Sequence, residues 1–264
     1  TPLTKLGGGL HYGGYIAPFD LANVVLVLCM IYISNKWGEN YGAGSEGQGG
    51  GGFGKALGAI FEDKKILLCG LICSSFESSM FIFVFNWTPC LMEPKEPVPP
   101  FGHIFTGFMI FCLLGTRVYS YLSKTRSTEQ IGLMIMLVSV ACHLTVYLFQ
   151  SVQIRFVAFL VFEACVGLYF PMMGTLKGDI VPEDMRSTIY NIYRLPLNVI
   201  VLMPLLLNFS ISTTFAVTTS ILAVAVVSAY TLKSVPKKSH EQELDAKLKA
   251  EQAKEQASDC KTQN

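Results

Sequence analysis

The stretch ILLCGLICSSFESSMFIFVFNWTPCL, residues 66–91, decides the fold. It exceeds the roughly 20 apolar residues that carry a helix across about 30 Å of hydrocarbon. Glu77 is the one charged residue within it. Runs of the same kind recur on both sides, bounded by charge, proline or glycine. Seven are predicted to span, at 17–35, 66–91, 101–122, 130–150, 155–176, 187–208 and 212–232. Lipid offers the backbone no hydrogen-bond partner, so such runs must close their bonds internally as helices. The predicted class is all-α transmembrane.

Composition agrees with this reading. Hydrophobic residues make up 51% of the 264 and charged residues 15%, with a net charge of +1. Phosphate binding needs a concentrated basic face, and Lys and Arg here are dispersed between apolar runs, so no nucleic-acid partner is expected. Cys29, Cys69, Cys73, Cys112, Cys142 and Cys165 lie inside apolar runs, Cys90 near the end of one and Cys260 in the tail. They read as small buried hydrophobes. No CxxC pair or Cys/His spacing suggests a metal site, and no cofactor motif is found.

The loops set an orientation, because short cytoplasmic loops collect Lys and Arg. After the first span come Lys36, Lys55, Lys64 and Lys65, and the next loop, EPKEPVPP at 93–100, has only Lys95. Arg117, Lys124 and Arg126 follow in the third loop, Arg155 alone in the fourth, and Lys177 and Arg186 in the fifth. This alternation predicts a cytoplasmic carboxy-terminus and an external amino-terminus. The opening TPLTKLGGGLHYGGY carries no basic and apolar leader, so the spans are read as the last seven of a longer protein. The expected division is an external segment 1–16, a first span 17–35, a flexible Gly-rich cytoplasmic loop 36–65, a bundle 66–232 and a charged cytoplasmic tail 233–264.

Charge in mid-span costs about 2.5–3.5 kcal/mol on insertion scales, so each such residue calls for a partner or a cavity. Glu77 falls near the midplane of its span, Glu163 towards the outer side of the fifth and Arg194 towards the inner side of the sixth. Arg194 suits an anionic substrate, since a guanidinium stays charged and offers a planar fork of donors. Glu77 and Glu163 are candidates to carry a coupling proton. The alternative is a permanent ion pair of Arg194 with one of them. Asn191 and Asn198 share the helix face of Arg194 at offsets of three and four. Asn86 and Trp87 are candidate cavity residues, with an interface anchor the other reading of Trp87. Pro171 is expected to end the core of its span, and Pro196 and Pro204 to kink theirs. His143, alone among apolar neighbours, reads as a packing residue.

Three strings carry a resemblance. FESSMFIFVFNWTPCL at 76–91 is similar to the F-E-x-S-M-x-x-F-V-F-x-W-T-P pattern of the molybdate-anion transporter family, a branch of the major facilitator superfamily. GDIVPEDMRSTIYNIYRLPLNVIV at 178–201 resembles that family's I-P-E-x-x-R-x-T-I-x-N-x-x-R-x-P-L-N stretch, and APFDLA at 17–22 with KWGENYG at 36–42 its sixth helix and exit. The resemblance implies a major facilitator fold with seven helices present: helix six and the whole second six-helix bundle. It also implies transport of molybdate, with sulfate the competing oxyanion, and the expected location is the plasma membrane. Glu77, Asn86, Trp87, Asn191, Arg194 and Asn198 fall on its pattern positions. A seven-span receptor fits the span count, but Thr116 opens TRVY at 116–119 where an acid is needed, and SAYTLKS at 228–234 lacks N-P-x-x-Y. No nucleophile, base or metal set at a shared depth suggests an enzyme. A scaffold or sensor keeping the transporter fold is the remaining alternative.

Overall fold

The computed structural model describes residues 3–7, 10–14, 17–38, 51–92 and 97–235. The chain divides into two compact units, 1–48 and 49–264. The expected carboxy-terminal tail beyond residue 235, the Gly-rich stretch 39–50 and the loop residues 93–96 lie outside the described residues.

The first unit departs from a purely helical reading. Strands β1 (Leu3–Gly7) and β2 (Leu10–Gly13) pair antiparallel, with Thr4 opposite Tyr12 and Lys5 opposite His11. Gly14 follows with φ 60°, a left-handed conformation that glycine adopts without Cβ strain. Helix α1 (Ala17–Lys36) then runs without a charged residue between Asp20 and Lys36. Near its end, Ser34 and Asn35 donate to the carbonyls of Met30 and Ile31 at 2.7 Å each.

The second unit holds seven helices among its described residues: α2 (Gly51–Glu62), α3 (Lys64–Cys90), α4 (Phe101–Leu122), α5 (Thr128–Leu148), α6 (Val152–Ile180), α7 (Arg186–Leu206) and α8 (Ile211–Ser234). Helix α2 corrects the expectation of a flexible loop over 36–65. Phe53, Ala56, Leu57 and Ile60 recur at helical spacing, and Ala56 and Ile60 are buried. Asp63 separates α2 from α3 and caps the latter, accepting from the Lys65 amide at 2.7 Å. Ser127 opens α5 with a reciprocal capping box to Gln130.

Six described helices are long and apolar enough to cross a membrane: α1, α3, α4, α5, α6 and α8. Helix α7 has the length but carries Arg186, Asn191, Arg194 and Asn198 among its apolar residues. The chain is an α-helical multi-pass membrane protein.

Lipid is as apolar as leucine, so helices here associate through packing contacts rather than by leaving water. Two glycines make the closest such approach. A Cβ on Gly115 of α4 would overlap the Ala164 carbonyl of α6, and one on Gly167 of α6 would overlap the Cys112 carbonyl of α4. Helix α3 is the centre of the bundle, packed on α6, α7 and α8. Its Phe76 stacks on Tyr169 with ring centroids 4.0 Å apart, and its Phe83 meets Phe162, Phe159 and Phe108 edge-on or tilted. His143 is a core residue, 4.5 Å centroid to centroid from Phe162.

Candidate substrate cavity

Two antiparallel helices present matched faces. On α3, Cys69, Cys73 and Glu77 recur every four residues, and on α6 Tyr169, Met173 and Lys177 do the same. The faces meet. Cys69 Sγ lies 4.0 Å from Met173 Sδ, and Tyr169 donates its hydroxyl to Glu77 Oε1 at 2.9 Å. The Cys73 thiol donates to the same oxygen at 3.1 Å. Lys177 Nζ stands 3.5 Å from it, with the Lys177 and Glu77 side chains 17% and 20% exposed. The ammonium also sits 5.1 Å from the centroid of the Tyr190 ring on α7. Helix α7 is fixed against α3 by two cross-helix bonds: Tyr193 donates to the Ile66 carbonyl at 2.6 Å, and Ser74 donates to the Tyr193 carbonyl at 2.8 Å.

These three helices enclose a cavity of about 300 Å³. That is the lower end of the range for small-molecule sites, about 300–1,000 Å³. Glu77, Tyr169, Lys177, Tyr190, Tyr193 and Arg194 supply its polar lining, with Cys73 and Met173 beside them. Its charged lining is thus two cations and one carboxylate. A second cleft, between α5 and α6, is lined by Val138, Ala141, Val157 and Val161 among others and offers little for a polar substrate.

The structure sorts the candidates read from sequence. Glu77 and Arg194 both line the cavity. The alternative reading, an ion pair of Arg194 with Glu77 or Glu163, is not seen among the described residues, where Glu77 pairs with Lys177. Asn191 and Asn198 flank Arg194 on α7 but are exposed and outside the lining. Glu163 is 7% exposed on α6, likewise outside the lining, with no hydrogen bond or ion pair among the described residues. Asn86 and Trp87 are outside the lining of this cavity. Asn86 donates to the Ile82 carbonyl of its own helix at 2.7 Å, and Trp87 packs edge-on against Phe101 and Phe108 at 5.6 and 5.3 Å.

Sequence reasoning missed Lys177, Tyr169, Tyr190 and Cys73. Lys177 counts as a loop cation if Pro171 ends the span. In fact α6 continues through Pro171 to Ile180, and proline costs a helix only one donor bond and a local kink when neighbours hold it. The signal was present in the four-residue spacing of Tyr169, Met173 and Lys177.

The fold and this polar cavity fit a polytopic membrane protein of the major facilitator class. A family profile described as sugar transporters with 12 transmembrane helices matches residues 7–169. Curated relatives include a molybdate-anion transporter of Xenopus laevis, 32% identical over 195 residues that cover 71% of this chain and 42% of the relative. Those of Takifugu rubripes and Danio rerio are 30% and 27% identical, covering 75% and 73% of this chain and 46% of each relative. The chain therefore belongs to the major facilitator family that includes the molybdate-anion transporters, and it spans a little under half the length of those relatives. The POT family transporter PepTSo has a similar fold, with a TM-score of 0.54 at 18% identity over 66% of this chain and 39% of that one.

Proposed function

We propose that the full-length protein carrying this sequence is a secondary transporter that moves molybdate across a cell membrane by alternating access. The observation that carries the reading is the pair of cations, Lys177 and Arg194, on one small cavity in an apolar bundle. A guanidinium and an ammonium complement a tetrahedral oxyanion, the first as a fork of donors and the second as a point charge. The names of the curated relatives select molybdate among oxyanions. Asn191 and Asn198, on the Arg194 face of α7, are proposed to meet the anion when the two bundles close around it. The Lys and Arg alternation supports a cytoplasmic carboxy-terminus, and the assigned site is the plasma membrane.

The description of the family profile names sugars, which gives a second reading. A neutral sugar can accept hydrogen bonds from two cations but gains no charge attraction, so the charge of the cavity favours the anion. Competition binding separates the readings. Purified full-length protein is expected to bind labelled molybdate saturably, with displacement by unlabelled molybdate and none by hexoses. Displacement by a hexose and not by molybdate would reverse the assignment.

A further inference from the structure

Resting on that reading, we propose that Tyr190 belongs to the anion site, its ring holding the Lys177 ammonium in place and its hydroxyl giving the oxyanion a further donor beside Lys177 and Arg194. Lys177 ends a flexible four-carbon stem, so its charge serves a ligand only where something holds it. Two groups do so, and they differ in kind. The Glu77 carboxylate, 3.5 Å away, offsets the charge. The Tyr190 ring, with its centroid 5.1 Å from Nζ, attracts the cation through its quadrupole and adds no formal charge. The ring therefore leaves the charge of the ammonium available to an anion.

Helix α7 ties that ring to the other cation. Tyr190 and Arg194 are four residues apart on α7, neighbours on one face, and both line the cavity. The helix is in turn anchored to α3 by the Tyr193 hydroxyl on the Ile66 carbonyl and the Ser74 hydroxyl on the Tyr193 carbonyl. One turn of one anchored helix thus sets the spacing of Lys177 and Arg194. The hydroxyls of the lining tyrosines are not equivalent. Tyr169 donates its own to Glu77 at 2.9 Å and Tyr193 to Ile66 at 2.6 Å, whereas the Tyr190 side chain makes no hydrogen bond among the described residues. A tetrahedral oxyanion without protons is an acceptor only, so an unengaged O–H in the lining is complementary to it.

The test uses purified full-length protein and labelled molybdate, with Tyr190 intact or changed to Phe or Leu. Tyr190→Phe keeps the ring and removes the hydroxyl, and is expected to raise Kd about tenfold at an unchanged thermal midpoint. Tyr190→Leu removes both and is expected to raise Kd about threefold further. A second measurement needs no ligand: the rate at which an amine-directed acylating reagent modifies Lys177, read by mass spectrometry. That rate is expected to match wild type in Tyr190→Phe and to rise at least about twofold in Tyr190→Leu, where no ring holds the amine. Tyr190→Met serves for the same comparison if the Leu variant does not fold. Wild-type affinity in Tyr190→Phe, or weaker binding that comes with a lowered midpoint, overturns the donor role. Equal labelling of Lys177 in all three proteins overturns the positioning role. Absence of saturable molybdate binding by folded wild type overturns the anion reading itself.

Discussion

Lys177 on α6 and Glu77 on α3 form an ion pair of 3.5 Å in the lining of the cavity. Each is the last member of a four-residue ladder, so the pair reports the rotational phase of both helices. Changing Lys177 to Met leaves a partly buried carboxylate without its cation, and removes one of two cations offered to the anion. Uptake is expected to fall at least about tenfold at low substrate, the equivalent of about 1.4 kcal/mol. Because the lone carboxylate is the costly partner, Lys177→Met with Glu77→Gln is expected to insert and express better than Lys177→Met alone. Surface expression and uptake of the two variants check this, and equal expression would contradict it.

Packing between α4 and α6 depends on Gly167 and Gly115, each set against a carbonyl of the other helix. Gly167→Leu is expected to cost about 1–3 kcal/mol by overpacking. The readout is a lowered thermal midpoint in detergent. Gly178→Ala is the control on the same helix. An added methyl there would have no heavy atom within 4 Å, so the midpoint should not fall and is expected to rise slightly from helix propensity.

Arg155 is 7% exposed and holds three helix ends together. Its Nε donates to the Phe149 carbonyl at 2.9 Å, Nη2 to Gln150 Oε1 at 2.6 Å and Nη1 to the Cys90 carbonyl at 3.4 Å. A guanidinium across the carboxy-terminal ends of α3 and α5 also meets the negative ends of both helix dipoles. Arg155→Ala is expected to destabilise by about 1.5–3 kcal/mol, the worth of hydrogen bonds to a charged group. Arg155→Lys should recover less than half of the loss, because three donors on one nitrogen cannot span acceptors that three separate guanidinium nitrogens reach. Thermal unfolding of the three proteins measures both.

Much of the helical architecture is legible in the sequence, because a run long enough to cross lipid leaves the backbone few choices. The apolar run 101–122 has the same ends as α4. The misses have local causes. Helix α2 is hidden by glycines that read as linker, although Phe53, Ala56, Leu57 and Ile60 mark an apolar face. Strands β1 and β2 are shorter than any apolar run that draws attention. Within the site, Glu77 and Arg194 stand out because charge in mid-span is conspicuous. Lys177 does not, because it sits near a helix end where charge is ordinary. Which cation meets Glu77 depends on how α3, α6 and α7 are rotated against one another, and no spacing within a single helix encodes that.

The most direct measurement is uptake of labelled molybdate by cells lacking their own transporter, expressing the full-length protein with Arg194 intact or changed to Ala. Saturable uptake that survives excess sulfate and falls at least about tenfold in the Ala variant is the expected result, from loss of a charge-assisted contact worth about 1.5–3 kcal/mol. No uptake by wild type that has reached the membrane, or equal uptake by both proteins, would contradict the assignment of this cavity to an oxyanion.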